Sequence, residues 1–102
     1  MGKYNSGWTD AELTAAIDAY LTMLRCEKNG EPYNKAEINR SLRESGALLE
    51  GRTKASIEYR MQNISAVLKE EKLPFVKGYA PAANVGDQMR ARISKIYSGR
   101  IG

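Results

Sequence analysis

The chain has 102 residues, of which 42% are apolar and 27% charged, close to the averages of globular proteins. We therefore expect a single domain with a packed core. With no histidine and one cysteine, the chain cannot form a zinc finger, a His-based metal site or an internal disulfide. Neither a membrane-spanning apolar run nor a secretory signal is recognisable. We expect a cytoplasmic protein that is not an enzyme and binds no cofactor or metal.

The net charge of +4 is unevenly distributed along the chain. Residues 1–51 carry 6 Lys+Arg against 8 Asp+Glu, whereas residues 52–102 carry 10 against 4. A basic half in a domain of pI near 9.3 indicates a polyanionic partner. The plainer interpretation, a solvated basic surface, stays open.

A first helix is predicted from about Asp10 to Glu27. Thr9 and Glu12 have the spacing of a capping box, and Trp8 and Leu13 flank the start as a hydrophobic staple. Apolar residues then recur at helical spacing and define one buried face.

Two further helices are predicted before residue 73. Asn34 is a predicted N-cap for a short helix that ends near Gly46. Thr53 is a predicted N-cap for a third helix of about Lys54 to Glu71. That helix has the clearest amphipathic pattern in the chain, with apolar residues at Ile57, Met61, Ile64 and Leu68.

The remaining sequence predicts an extended strap and a fourth helix that begins between Asn84 and Asp87, whereas residues 99–102 read as an unstructured tail. The expected fold is all-α, with a tri-helical, helix-turn-helix-like core. The expected organisation is a flexible N-terminus (1–7), the three-helix core (8–72), the strap (73–86), and a C-terminal helix and tail (87–102) leading to a further domain.

The third helix is the candidate DNA-reading element, because its outer face is polar and basic residues precede it. Gln and Asn side chains can bond an adenine edge, and Ala can meet a thymine methyl. The predicted base-contacting residues are Tyr59, Gln62, Asn63 and Ala66. The predicted phosphate-contacting residues are Arg52, Thr53 and Lys54 at the helix entrance, with Lys69, Arg90 and Arg92.

Two family resemblances support a DNA partner. Gly7-Trp8-Thr9 with Glu12-Leu13, followed by Gly51-Arg52-Thr53 and Arg60, resembles the Myb/SANT pattern. In that family the third helix enters the major groove and the leading tryptophan belongs to the core. The chain departs from the pattern in having one tryptophan and a long first helix.

A second resemblance covers more of the chain. The segments 56–68 and 73–81, with Trp8 and residues 34–37, resemble the helical N-terminal domain of bacterial HNH and modified-base-dependent restriction endonucleases. The resemblance implies a recognition or accessory module that binds double-stranded DNA, with the nuclease in a following domain of the same protein.

A protein-interaction or oligomerisation domain is the main alternative, with a homodimer as one form of it. Its anchors would be aromatic side chains, which contribute strongly to interfaces. The candidates are Tyr4, Tyr33, Phe75 and Tyr79.

Overall fold

The computed structural model describes residues 7–101, so the predicted flexible N-terminus up to residue 6, with Tyr4, and Gly102 lie outside the described residues. The described chain forms four helices and no strand, which confirms the all-α fold. The helices are α1 (Asp10–Asn29), α2 (Lys35–Leu42), α3 (Lys54–Glu70) and α4 (Asp87–Ile101).

The start of α1 has the capping box that the sequence predicts. The Thr9 hydroxyl accepts a hydrogen bond from the Glu12 amide at 3.1 Å, and the Glu12 carboxylate accepts one from the Thr9 amide at 2.9 Å. Trp8 and Leu13 are both buried. The helix continues past the predicted end to Asn29 and stops at Gly30, whose φ of +68° is easily adopted by glycine.

The second helix is shorter than predicted, because it ends at Leu42 and not near Gly46. The chain turns back there so that Leu49 can enter the core, and the Leu49 amide donates to the Leu42 carbonyl at 3.1 Å. Residues 43–53 therefore separate α2 from α3, a longer connection than the ~3–4 residues of a helix-turn-helix turn.

Helix α3 lies at the centre of the fold, where α1, α4 and the strap all pack against it. Tyr20 of α1 joins three of these elements. Its hydroxyl lies 2.7 Å from the Ser65 hydroxyl of α3 and accepts a hydrogen bond from the Val76 amide at 2.8 Å. Burial raises the pKa of Tyr20 to about 12, so this junction contains a neutral phenol at physiological pH.

The strap, residues 73–86, runs across the outer side of α3 and contributes its own buried side chains, Val76, Tyr79 and Val85. The Ala82 amide donates to the Gln62 carbonyl at 3.1 Å, and the Tyr59 hydroxyl donates to the Asn84 carbonyl at 3.2 Å. These bonds attach the strap to the face of α3 that the sequence predicts to be solvent-exposed.

Helix α4 packs along α1, and two ion pairs join the helices at the same sequence separation. Arg92 pairs with Asp10 and Arg100 pairs with Asp18, so two ion pairs each join residues 82 positions apart. The two helices consequently run parallel. The predicted unstructured tail is wrong for residues 99–101, because this contact with α1 continues the helix to Ile101.

Candidate nucleic-acid interface

The predicted base-contacting residues do not form one exposed face. Asn63 and Ala66 are 2% and 6% exposed, and Gln62 is half-buried. Tyr59 is 48% exposed, but its hydroxyl is bonded to the strap. The exposure predicted for Asn63 and Ala66 is therefore wrong. The apolar stripe of α3 predicts one buried face, but α4 and the strap cover further faces of the helix.

Arg52, predicted to contact phosphate, is instead buried in an ion pair with Glu12. Its Nε lies 3.1 Å from Oε2 and its Nη2 lies 2.9 Å from Oε1 of that carboxylate. The two side chains are only 3% and 5% exposed. A bidentate pair of this kind satisfies the arginine inside the protein, so Arg52 does not face a ligand.

The two predicted phosphate contacts on α4 are also engaged within the protein. Arg90 pairs with Glu70 at 2.7 Å and with Asp87 at 2.9 Å. Arg92 pairs with Asp10 at 2.9 Å and also donates to the Trp8 carbonyl at 2.6 Å. These guanidinium groups mainly connect the elements of the fold.

The other three predicted phosphate contacts are exposed. Thr53 caps α3, since its hydroxyl accepts a hydrogen bond from the Ser56 amide at 3.0 Å. Lys54 and Lys69 form no ion pair within the described residues. Lys54 lies at the first turn of α3 and Lys69 at its last, so the two lysines are separated by almost the whole length of the helix.

A cluster of arginines surrounds Trp8, and we call Trp8, Arg52, Arg60 and Asn63 the Trp8 cluster. The guanidinium carbons of Arg52 and Arg60 lie 4.8 and 4.9 Å from the centre of the indole ring. Arg60 donates to the Asn63 Oδ1 at 2.7 Å. Burial, together with the charges of Arg52 and Arg92, lowers the pKa of Arg60.

Two nitrogens of the Trp8 cluster are buried without a hydrogen-bond partner: Nε of Arg60 and Nδ2 of Asn63. Both atoms are hydrogen-bond donors, so neither can accept a hydrogen bond from the other. Rotating the Asn63 amide would turn its NH₂ group toward the guanidinium and place donor against donor. The orientation with Oδ1 toward Arg60 is therefore the one that the arginine requires.

A different set of cations remains accessible in a groove between α2 and the start of α3. This α2/α3 groove encloses about 260 Å³ and is lined by Asn34, Ala36, Glu37, Arg40, Arg43 and Lys54. It contains three cations and one carboxylate. The closest approach of Arg40 to Glu37 is 3.7 Å with both side chains exposed, so this pair neutralises little of the charge.

A buried asparagine fixes the spacing of the two helices at the groove. Asn39 accepts a hydrogen bond from Nε of Arg43 at 2.7 Å and donates to the Lys54 carbonyl at 3.2 Å. Because the partner of Arg43 is a neutral amide, its charge is not cancelled. Asn39 therefore orients a cation and connects α2 to the first residue of α3.

Residues from the start of both helices line this groove, together with Arg40 and Arg43 at the end of α2. Asn34 is the N-cap of α2, and Lys54 is the first residue of α3. The positive end of a helix dipole favours anions. The three side-chain cations of the groove, with the first residue of α3 among them, can hold an anionic oxygen such as that of a phosphate.

Arg40 and Arg43 are residues that the sequence analysis missed. They lie in the half of the chain with a net negative charge, so the overall charge distribution directs attention away from them. Their i, i+3 spacing next to an N-capped helix is the one local signal that could have identified them.

The aromatic anchors predicted for a protein partner are mostly covered. Tyr79 is buried, with the Lys35 ammonium 4.7 Å from its ring centre, and burial raises its pKa. Phe75 and Tyr33 pack against the core, and the Tyr33 hydroxyl donates to Glu27. The predicted exposure is therefore wrong for Tyr79, whereas Tyr33 and Phe75 are half-buried and keep part of their surface accessible.

In comparisons with family models, curated proteins and solved structures, nothing matches the chain. Over residues 7–101, no helix has the length and apolar character needed to cross a membrane. Within the same residues, no three His, Cys, Asp or Glu side chains are grouped so that they could hold a metal ion.

Proposed function

We propose that the chain is a non-enzymatic module that binds double-stranded DNA, and that the α2/α3 groove holds the phosphate backbone. The observation that carries the proposal is the convergence of Arg40, Arg43 and Lys54 on one open groove. Phosphate contacts supply most of the affinity of such modules and depend on accessible cations.

The site proposed for the third helix is smaller than the sequence predicts. The exposed residues of α3 lie in its first half, at Lys54, Ala55, Glu58 and Tyr59, and at its last two residues. We infer that this half approaches the major groove while α2 lies along the backbone. The negative charge of Glu58 opposes a phosphate, which favours a base-facing position for that side of the helix.

The resemblance to the N-terminal domain of restriction endonucleases is consistent with this role. It would make the module the recognition part of a larger nuclease, with cleavage in another domain. Without histidine, these residues offer no imidazole general base and no His-based metal site for hydrolysis.

The test is the salt dependence of binding to a labelled duplex of about two helical turns with random sequence, followed by fluorescence anisotropy. Affinity should fall steeply between about 50 and 200 mM salt. In the double variant Arg40→Gln/Lys54→Gln, each lost phosphate contact should reduce the slope of log K against log salt by about 0.9.

The matched control is Lys77→Gln/Lys95→Gln. Both lysines are exposed, neither lines the α2/α3 groove, and the loss of charge is the same. A slope reduced equally by both double variants would mean that binding follows net charge and not the groove. No binding by the unaltered chain at low salt would contradict the proposal itself.

A further inference from the structure

A second groove lies between α1, α4 and the first residues of the strap, away from the α2/α3 groove. We call it the α1/α4 groove. It encloses about 620 Å³, and its lining residues are Asp18, Leu21, Thr22, Leu24, Arg25, Lys28, Leu73, Pro74, Tyr97, Arg100 and Ile101. Its floor is largely apolar, whereas the α2/α3 groove has polar and charged walls.

Apolar side chains remain exposed at this groove. Leu73 is 37% exposed and Ile101 is 55% exposed, and they lie on the same groove although they are separated by most of α4. Single exposed apolar residues are ordinary, but a group of them around a concave surface is typical of an interaction site. DNA offers little apolar surface to such a floor, whereas an amphipathic protein segment does.

The charges at the rim specify the chemistry of the occupant. Asp18 is the one carboxylate of the lining, and Arg100 neutralises it through bonds of 2.8 and 2.9 Å. Arg25 and Lys28 are exposed and form no ion pair within residues 7–101. The charged side chains that line the rim, three cations and one carboxylate, therefore have a net positive charge, which favours an acidic partner.

A second copy of the chain fits this rim poorly. The chain has a net charge of +4, so a copy approaching Arg25 and Lys28 meets charge of the same sign. The length of the groove fits a short helix. Asp18 and Lys28 mark its two ends on α1, a span of about 15 Å at 1.5 Å per residue, which matches a segment of about three turns.

We propose that the α1/α4 groove binds an acidic amphipathic helical segment of a partner protein. Apolar residues of that segment, spaced at i, i+3, i+4 and i+7, cover Leu73 and Ile101, and its acidic residues face Arg25 and Lys28. This is the helix-in-groove mode of peptide recognition. It requires no DNA and does not depend on the function proposed above.

The experiment uses the full-length ¹⁵N-labelled chain and two synthetic peptides of about fourteen residues, long enough to form three turns. Both carry leucine at the i, i+3, i+4 and i+7 spacing. One has glutamate at the flanking positions and the other has lysine there. We expect the acidic peptide to produce saturable shifts of the amide signals of Leu24, Arg25, Leu73 and Ile101, with at least about tenfold higher affinity than the basic peptide.

Variants separate the contributions of the rim and of the floor. Arg25→Glu/Lys28→Glu should weaken binding of the acidic peptide about tenfold and improve binding of the basic one. The matched control Lys69→Glu/Lys95→Glu, outside the groove, should leave the affinity within about twofold. Leu73→Ser tests the floor without changing any charge and should also weaken binding.

Each of four outcomes would overturn the proposal. Equal affinity for the two peptides would leave only non-specific apolar contact. Groove signals that shift with the concentration of the chain alone would identify a second copy as the occupant. An acidic peptide that shifts none of these signals would show that the groove does not bind such a segment. Groove signals shifted by a DNA duplex instead would identify DNA as the occupant.

Discussion

The Trp8 cluster and the α2/α3 groove are both rich in cations, but they use them differently. In and around the cluster, Arg52 and Arg92 bind carboxylates of α1, and Arg60 packs on the indole ring. In the groove, Arg40, Arg43 and Lys54 face an open surface with one weakly placed carboxylate. The difference shows that positive charge along a sequence does not locate a phosphate site, because a cation paired inside the protein is unavailable to a ligand.

Ion pairs within the protein also explain why the first half of the chain is acidic and the second half basic. Three ion pairs, Glu12–Arg52, Asp10–Arg92 and Asp18–Arg100, join the acidic first half to the basic second half. Much of the basic excess therefore complements α1. The cations that remain accessible at the α2/α3 groove come mainly from the acidic half.

The largest effect is expected where the charge is buried. Glu12→Gln removes the carboxylate partner of Arg52, and an uncompensated buried arginine should destabilise the fold by about 3–5 kcal/mol. Equilibrium urea unfolding measures this loss. Glu58→Gln, an exposed substitution on α3 without an ion pair, should stay within about 0.5 kcal/mol. An unchanged midpoint for Glu12→Gln would show that the pair does not support the fold.

An intermediate effect is expected at Asn63. Asn63→Ala removes the acceptor of Arg60 and leaves a buried guanidinium nitrogen unpaired, which should destabilise the fold by about 1–3 kcal/mol. The same urea experiment measures it.

The readout that distinguishes this role from base reading is DNA specificity. Competition between duplexes that differ at single base pairs should give the same ranking for Asn63→Ala as for the unaltered chain. If Asn63→Ala lost discrimination at one base pair and kept the stability of the unaltered chain, Asn63 would contact a base as first predicted.

The smallest effect is expected at the partly exposed ion pair between Arg92 of α4 and Asp10 of α1. Arg92→Gln should lower stability by about 1 kcal/mol, because exposed ion pairs contribute little and one hydrogen bond to the Trp8 carbonyl is also lost. It should leave the salt slope of DNA binding unchanged, whereas Lys54→Gln should reduce the slope by about 0.9 with stability within about 0.5 kcal/mol. If Arg92→Gln reduced the salt slope and Lys54→Gln did not, the accessible cations would lie near the Trp8 cluster and not in the α2/α3 groove.

Local signals in the sequence were sufficient to predict that the four helices form and where the first three begin. The capping residues Thr9, Asn34 and Thr53 predicted the starts of α1, α2 and α3, since a cap depends on side chains within three residues of the amide it binds. The ends were less predictable. Helix α2 stops early because Leu49 enters the core, and α4 continues because Arg100 meets Asp18, and both contacts depend on residues beyond the helix that they affect.

The predicted site depended on which face of α3 would be exposed, and only the tertiary structure decided that. The pattern Ile57, Met61, Ile64 and Leu68 identifies one buried stripe, but α3 is covered on further sides by α4 and the strap. Polar Ser65 and the Oδ1 of Asn63 are buried with a hydrogen-bond partner each, Tyr20 and Arg60, whereas Nδ2 of Asn63 is buried without one. Periodicity reports apolar burial, whereas the burial of a polar group depends on its hydrogen-bond partner, which for Ser65 lies 45 residues away on α1. The sequence alone therefore determined the helices, and the three-dimensional packing determined the accessible cations.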